Sequence, residues 1–239
     1  MRFWSAALVT VAVLSAPMGF GQATPAANKD ADAIAAIKER VNLLRDTFVA
    51  ATVAAGYKCA ISPPTIVVAS IFSYGNYDEA TNTLTTSAWE LLTPEEKARF
   101  YRLAGADATD DSARQQFEIG VHHWVFVHEL GHWWQTCRHV ANEDHYLYES
   151  GANRIATAYW REHNRDILVA QRTTFDYVLT RVPDPVPEGE SVESYFNSHY
   201  PDKFKSGPEH TWFQARMCLR VFDEHPAPSF ADVLRQTGR

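Results

Sequence analysis

The sequence predicts an α+β fold that is mostly helical and contains one small antiparallel β-sheet. Several long segments carry apolar residues every three or four positions, which is the spacing of one helix face. Two short stretches are instead rich in β-branched residues, which is typical of strands. The chain has 239 residues, of which 46% are hydrophobic and 21% charged, so one domain can bury a sizeable core.

The first predicted element is an amphipathic helix over residues 30–55, which Gly56 ends as a C-cap. Its apolar face comprises Ile34, Ile37, Val41, Leu44 and Phe48. The β-branched stretches follow at residues 65–72 and 83–89, with turn-like residues 78–82 between them. They are predicted to pair as an antiparallel hairpin beside the helix that carries the chemistry described below.

Helices are predicted for most of the remaining chain. Thr93 precedes a proline and two glutamates, which indicates a capped helix that ends near Leu103. Four longer helices are predicted at residues 112–137, 146–162, 166–180 and 211–224. The proline-rich stretch 182–189 is either a linker between domains or a surface loop, and the short segment that follows it favours the loop.

The N-terminus is predicted to be a secretory signal peptide, residues 1–23. Arg2 precedes an apolar run over residues 3–14, and small residues lead to a cleavage site near Ala23. The run is shorter than the roughly 20 residues of a membrane-spanning helix. We therefore expect residues 24–239 to form a single domain that is secreted or periplasmic, without a stable membrane span.

Charge and cysteine content narrow the possible functions. The formal net charge is −7, and an acidic protein is a poor partner for nucleic acid. Three cysteines, Cys59, Cys137 and Cys218, lie in a chain predicted to reach an oxidising compartment, where two can pair. None has the CxxC spacing of a zinc or redox site, and the sequence leaves the pairing open.

The segment that most clearly indicates a metal site is the pentapeptide His128-Glu129-Leu130-Gly131-His132. Its histidines stand one helical turn apart, so both imidazoles project from one helix face and can bind a single ion. Neutral imidazole is a good zinc ligand, and a site with three protein ligands leaves a position for water. Glu129 is predicted to be the general base that takes a proton from that water.

A third ligand is expected downstream, and Glu149 is the preferred candidate. Asn153 lies one turn further on the same predicted helix face, where its amide oxygen can accept the second N–H of a metal-bound histidine. Four other side chains lie between the two helices: His139, Glu143, Asp144 and His145. Glu143 and Asp144 are the main alternative ligands, although both are better suited to cap the second helix.

With these residues the sequence resembles the gluzincins, zinc peptidases with HExxH on one helix and a glutamate ligand on the next, and in particular small secreted members of that clan. The resemblance covers residues 65–160. It implies a zincin-like metallopeptidase domain in which His128, His132 and Glu149 hold Zn²⁺ between two helices. It also implies that residues 76–83 belong to an edge strand that pairs with extended substrate above the metal.

The chain departs from the family pattern at one position. The second gluzincin helix commonly reads ExxAD or ExxxD, whereas here an amide, Asn153, takes the acidic place. The family also implies a C-terminal group that stabilises the oxyanion, and the candidates are Tyr195, Tyr200 and His210, each with a packing role as its alternative. By their positions, Trp133 and Trp134 are expected in the core and His122 and His123 in structural roles.

The predicted function is zinc-dependent hydrolysis of protein or peptide substrates, with Glu129 as general base. One alternative is a non-catalytic metal-binding protein of the cell envelope, which Asn153 and the unassigned oxyanion donor motivate. Another is a metal-dependent amidase or esterase that acts on a non-peptide substrate. It would use the same ligands, so the sequence does not separate it from a peptidase.

Overall fold

The computed structural model describes residues 25–200 and 207–238, with side chains from residue 30 onward. The predicted signal peptide, residues 1–23, lies outside the described residues.

The helices are α1 (Pro25–Ala54), α2 (Pro94–Ala104), α3 (Asp110–Phe117), α4 (Phe126–Cys137), α5 (His145–His163), α6 (Arg165–Arg181), α7 (Val192–His199), α8 (Pro208–Phe222) and α9 (Phe230–Gln236). The strands are β1 (Thr65–Val68), β2 (Gly75–Asp78) and β3 (Thr83–Thr86). The predicted α+β class, mostly helical, is confirmed. Over this part of the chain no helix is long and apolar enough to cross a membrane.

The sheet differs from the prediction of a purely antiparallel sheet. Its strand order is β1-β3-β2, with β1 parallel to β3 and β2 antiparallel to β3. The predicted antiparallel hairpin between residues 65–72 and 83–89 is therefore wrong, because those segments pair in parallel. The hairpin partner of β3 is instead β2, whose residues 76–78 the resemblance places in an edge strand but which no β-branched pattern marks as a strand. The reason is that Gly75-Asn76-Tyr77-Asp78 has little intrinsic preference for a strand and is held there by tertiary contacts.

The helix predicted over residues 112–137 is continuous but not uniform. It comprises α3, a π-helical segment at Glu118–Val125, and α4. Hydrogen bonds from i to i+5 widen the turns of this segment. Phe117, just before the segment, and Val121, within it, pack in a small cluster with Trp89. From Trp124 onward the buried residues of the helix belong to the main core. The π segment thus moves the apolar face of the helix from one cluster to the other.

Helix α4 lies at the centre of the main core, and its residues 126–136 are all buried. Trp133 and Trp134 belong to this core, as expected. The helix packs closely on α5, because a Cβ added to Gly131 would lie 3.0 Å from the Cα of Ala152. At the end of α4, Cys137 forms a disulfide with Cys59, and the remaining cysteine, Cys218, is buried and free. These contacts fix the helix that carries the histidine motif.

The C-terminal part contains two helices that the periodicity did not reveal, α7 and α9. Both are short, and each begins at a serine whose hydroxyl accepts a backbone N–H. Residues 183–190, which precede α7, contain no helix or strand. A separate aromatic cluster joins α7 to α5 and α8, and it consists of Tyr146, Phe196, Trp212, Phe213 and Met217. This cluster holds the C-terminal helices beside the second helix of the predicted metal centre.

Candidate metal centre

Helices α4 and α5 bring the three predicted ligands together. The Nε2 atoms of His128 and His132 are 3.1 Å apart, and Glu149 lies 3.3 Å from the first and 3.7 Å from the second. Each of the three residues is 7% exposed. Their ligand atoms all lie within 4.8 Å of one another, so this buried group can hold a metal ion. No other such group occurs among the side chains described at residues 30–200 and 207–238.

The donor chemistry of the group fits a divalent cation. His128 Nδ1 lies 2.8 Å from Asn153 Oδ1, and His132 Nδ1 lies 2.8 Å from Gln135 Oε1. Because both amide oxygens are acceptors, both Nδ1 atoms carry the ring proton, and both Nε2 lone pairs point toward each other and toward Glu149. Two unprotonated nitrogens at this distance repel unless positive charge lies between them. A metal ion or a proton meets that requirement.

The pKa values of His128, His132 and Glu149 are shifted by their burial and by their closeness to one another. Burial lowers the pKa of His128, but the hydrogen bond and charge of Glu149 outweigh it, so the pKa is raised overall. Burial dominates at His132, and its pKa is lowered. Burial raises the pKa of Glu149, yet the two histidines hold it far below its usual range. Glu149 is therefore an ionised carboxylate and a ready metal ligand.

The predicted contact between Asn153 and a histidine of the motif is present, at His128, and Asn153 is fully buried. Its Nδ2 donates to Gln214 Oε1 at 2.8 Å, and Gln214 Nε2 donates to Glu149 Oε2 at 2.9 Å. Gln214 and Gln135 are two further residues of the site that were not predicted from the sequence. Gln135 follows His132 by three residues, a local spacing that could have revealed it, whereas no local pattern links α8 to Asn153.

Glu129, the predicted general base, is buried beside the ligands and faces the sheet. Its Oε2 accepts the backbone N–H of Tyr77 at 2.8 Å, so β2 lies directly against the base. A Cβ at Gly75 would overlap Val125 Cγ1 and would also contact Glu129, so only glycine lets the strand approach this closely. The outer edge of β2 therefore faces the metal centre.

Two of the three oxyanion candidates lie at the site. The Tyr200 hydroxyl donates to Glu149 Oε1 at 3.2 Å, and His210 Nε2 lies 3.3 Å from Gln214 Nε2. Burial and the charge of Glu149 raise the pKa of Tyr200, so its hydroxyl stays protonated and can donate. Tyr195 instead packs against Phe213 and His199. Tyr148, which had not been singled out, stacks on His132 with ring centroids 4.7 Å apart.

The alternative ligands occupy other positions. Asp144 caps α5 by accepting the N–H of Leu147 at 3.0 Å, as its position predicted. Glu143 and His139 are exposed, and His145 contacts the ring of Tyr200. His122 and His123, expected in structural roles, bind the backbone carbonyls of Ser87 and Glu118, respectively. None of these residues joins the group formed by the three ligands.

The site is a buried His-His-Glu group on two packed helices, with the carboxylate of Glu129 as a fourth side chain at its border. Comparisons of the chain with protein-family models, with curated proteins and with solved structures found no match. The interpretation of this site therefore rests on its own geometry.

Proposed function

We propose that the protein is a zinc-dependent peptidase with a zincin-like fold, related to the gluzincins. His128, His132 and Glu149 hold the ion, and Glu129 is the general base. The observation that carries this proposal is the buried convergence of two imidazoles and one ionised carboxylate within 4.8 Å, with Glu129 on the same helix. Two nitrogens and one carboxylate oxygen form a common set of protein ligands at catalytic zinc sites, which keep one position for water.

Bound zinc would lower the pKa of a coordinated water to about 7 and polarise the substrate carbonyl. The protein supplies the remaining functions. The Tyr77 N–H fixes one oxygen of Glu129 and leaves the other oriented to accept a proton. The Tyr200 hydroxyl lies at the C-terminal side of the site and can donate to the developing oxyanion. His210 Nε2 faces the Gln214 amide nitrogen and accepts from it, so His210 would donate only from Nδ1.

A peptide is the proposed substrate because β2 is an edge strand of the sheet and lies directly against Glu129. On β2, Asn76 and Asp78 lie opposite Thr85 and Thr83 of β3. The backbone N–H of Tyr77, between them, points away from β3 and toward Glu129. An extended chain can add to such an edge through main-chain hydrogen bonds. A non-peptide amide would not need that edge, which favours a peptidase over an amidase.

We further propose that the protein acts outside the cytoplasm after removal of residues 1–23. The Cys59–Cys137 disulfide supports export, because disulfides persist in oxidising compartments. The net charge of −7 gives no attraction for nucleic acid.

The function is tested with residues 24–239, reconstituted with zinc and incubated with a peptide library whose products are identified by mass spectrometry. Glu129→Gln is expected to retain zinc and to lose about 10²- to 10⁴-fold in hydrolysis, because it removes the general base. Glu143→Gln is the matched control and is expected to keep both zinc and activity, since Glu143 is exposed and outside the ligand group. Zinc without any turnover would instead support the non-catalytic envelope protein.

A further inference from the structure

Two amide side chains connect a predicted metal ligand on α4 with the one on α5. His128 Nδ1 donates to Asn153 Oδ1, Asn153 Nδ2 donates to Gln214 Oε1, and Gln214 Nε2 donates to Glu149 Oε2. The three donor–acceptor distances are 2.8, 2.8 and 2.9 Å. We call this series the amide relay. Its members come from three helices, α4, α5 and α8, so it also ties α8 to the site.

All hydrogen bonds of the amide relay run from His128 toward Glu149, and the chemistry of both end residues requires this donor-to-acceptor direction. At one end, His128 must donate from Nδ1 if its Nε2 lone pair is to face the ion. At the other end, both oxygens of Glu149 accept, Oε2 from Gln214 Nε2 and Oε1 from the Tyr200 hydroxyl. An amide presents an acceptor on one side and a donor on the other, so two amides in series satisfy every atom between these ends.

A carboxylate at position 153 would break this order. It would accept from His128 with one oxygen and turn its other oxygen toward Gln214 Oε1, so that two acceptors would face each other. Rotating the Gln214 amide by half a turn would repair that contact, but it would then place Oε1 against the carboxylate of Glu149. In either orientation one buried pair of acceptors is left without a proton between them.

We propose that Asn153 and Gln214 are matched positioning residues, and that the amide relay holds His128 and Glu149 in register for the metal. An amide is required at position 153 because position 214 is glutamine. This inference rests on the metal binding in the proposed function and adds a specific requirement to it. It predicts that a negative charge placed beside His128 weakens metal binding, which is the opposite of what charge attraction alone would give.

The experiment measures the Zn²⁺ affinity of residues 24–239 by competition with a chromophoric chelator, and far-UV circular dichroism monitors folding. Asn153→Asp is expected to lower the affinity at least tenfold, which is within the usual effect of residues that orient a metal ligand. Asn164→Asp is its control, because Asn164 caps α6 away from the site and aspartate caps equally well. Gln214→Met, at a half-buried position, removes the amide contacts with Asn153, Glu149 and His210 without adding charge and is expected to lower the affinity by a similar factor.

The single variant Asn153→Ala and the double variant Asn153→Ala with Gln214→Met complete the test if Asn153→Asp fails to fold. Because both side chains serve one series of bonds, the double variant is expected to lose less affinity than the product of the two single losses. Zn²⁺ affinity within threefold of wild type in folded Gln214→Met, or tighter binding in Asn153→Asp, would overturn the amide relay and leave the proposed function intact. A wild-type protein that binds no Zn²⁺ would overturn both.

Discussion

At the residue scale, each histidine of the metal centre has its own amide partner. His132 relies on Gln135, whose Oε1 lies 2.8 Å from His132 Nδ1 and whose Nε2 donates to the carbonyl of Tyr148 at 2.7 Å. Gln135 therefore orients the imidazole and ties α4 to the first turns of α5. Tyr148 stacks on the other side of this contact, against the ring of His132. The ring is thus fixed by a hydrogen bond and by packing.

We predict that Gln135→Leu lowers Zn²⁺ affinity about 10- to 100-fold, because the His132 ring loses the acceptor that fixes its tautomer. The carbonyl of Tyr148 would also lose the Gln135 donor, and one such hydrogen bond contributes about 0.5–1.5 kcal/mol to the free energy of unfolding. Chelator competition and thermal unfolding measure the two effects.

Gln171→Leu is the control for this prediction. Gln171 is also buried, but its Oε1 has no hydrogen-bond partner in the described part of the chain. Its replacement is expected to leave Zn²⁺ affinity unchanged and the stability equal or higher. Equal Zn²⁺ affinity in Gln135→Leu and Gln171→Leu would remove Gln135 from the site.

The His-His-Glu group could be predicted from the sequence because most of its geometry is local. His128 and His132 are one turn apart on one helix, and Asn153 follows Glu149 by one turn on the next. Gln214 lies 61 residues from Asn153, and its role depends on where α8 packs. No spacing in the sequence encodes that contact.

At the scale of the elements, the metal centre depends on how closely α4 and α5 approach. Gly131, inside the histidine motif, faces the backbone of Ala152, and an added Cβ would lie 3.0 Å from its Cα and 3.1 Å from its carbonyl oxygen. Backbone atoms cannot move aside as a flexible side chain can. The glycine thus sets the separation between the helix of His128 and the helix of Glu149.

We predict that Gly131→Ala destabilises the protein by about 1–3 kcal/mol through overpacking and lowers its Zn²⁺ affinity, because α5 moves away with Glu149. Gly120→Ala is the control, since a Cβ at Gly120 would meet nothing within 4 Å. It is expected to leave stability unchanged or slightly higher. Chemical denaturation of the metal-free proteins measures the stability, and a Gly131→Ala protein as stable as Gly120→Ala would contradict this role.

The long helices could be predicted from periodicity, whereas the arrangement of the sheet could not. Strand β2 has a glycine, an asparagine and an aspartate among its four residues, and two contacts outside the sheet place it: Gly75 with Val125, and the Tyr77 N–H with Glu129. With β2 on one side of β3, β1 pairs with the other side and runs parallel to β3. The parallel pairing thus follows from tertiary contacts instead of from local preference.

At the scale of the whole molecule, the metal is expected to stabilise the fold, because its ligands lie on two helices that the unfolded chain does not hold together. At free Zn²⁺ about 1,000-fold above the dissociation constant, one site adds about 4.1 kcal/mol to the free energy of unfolding. For a domain of this size, that raises Tm by about 8–16 °C. Scanning calorimetry with and without a chelator measures the shift, and an equal Tm in both conditions would contradict a folded-state site.

The class of the fold could also be predicted at this scale, because helices dominate the chain and the strands are few. The C-terminal third was harder to predict, since α7 and α9 have only 8 and 7 residues and are held mainly by packing. That region matters for the site, because Tyr200 and Gln214 both reach Glu149 from it. The local motif predicts the His-His-Glu group, and the tertiary fold supplies the residues that surround it.

The most direct test of the metal centre is the zinc content of purified residues 24–239, measured by elemental analysis alongside His132→Ala and Glu149→Ala. We expect about one zinc per chain in the wild type and none in either variant, because each variant leaves two of the three ligands. Zinc retained in Glu149→Ala would contradict the ligand assignment, and a wild type without zinc after reconstitution would contradict the metal centre itself.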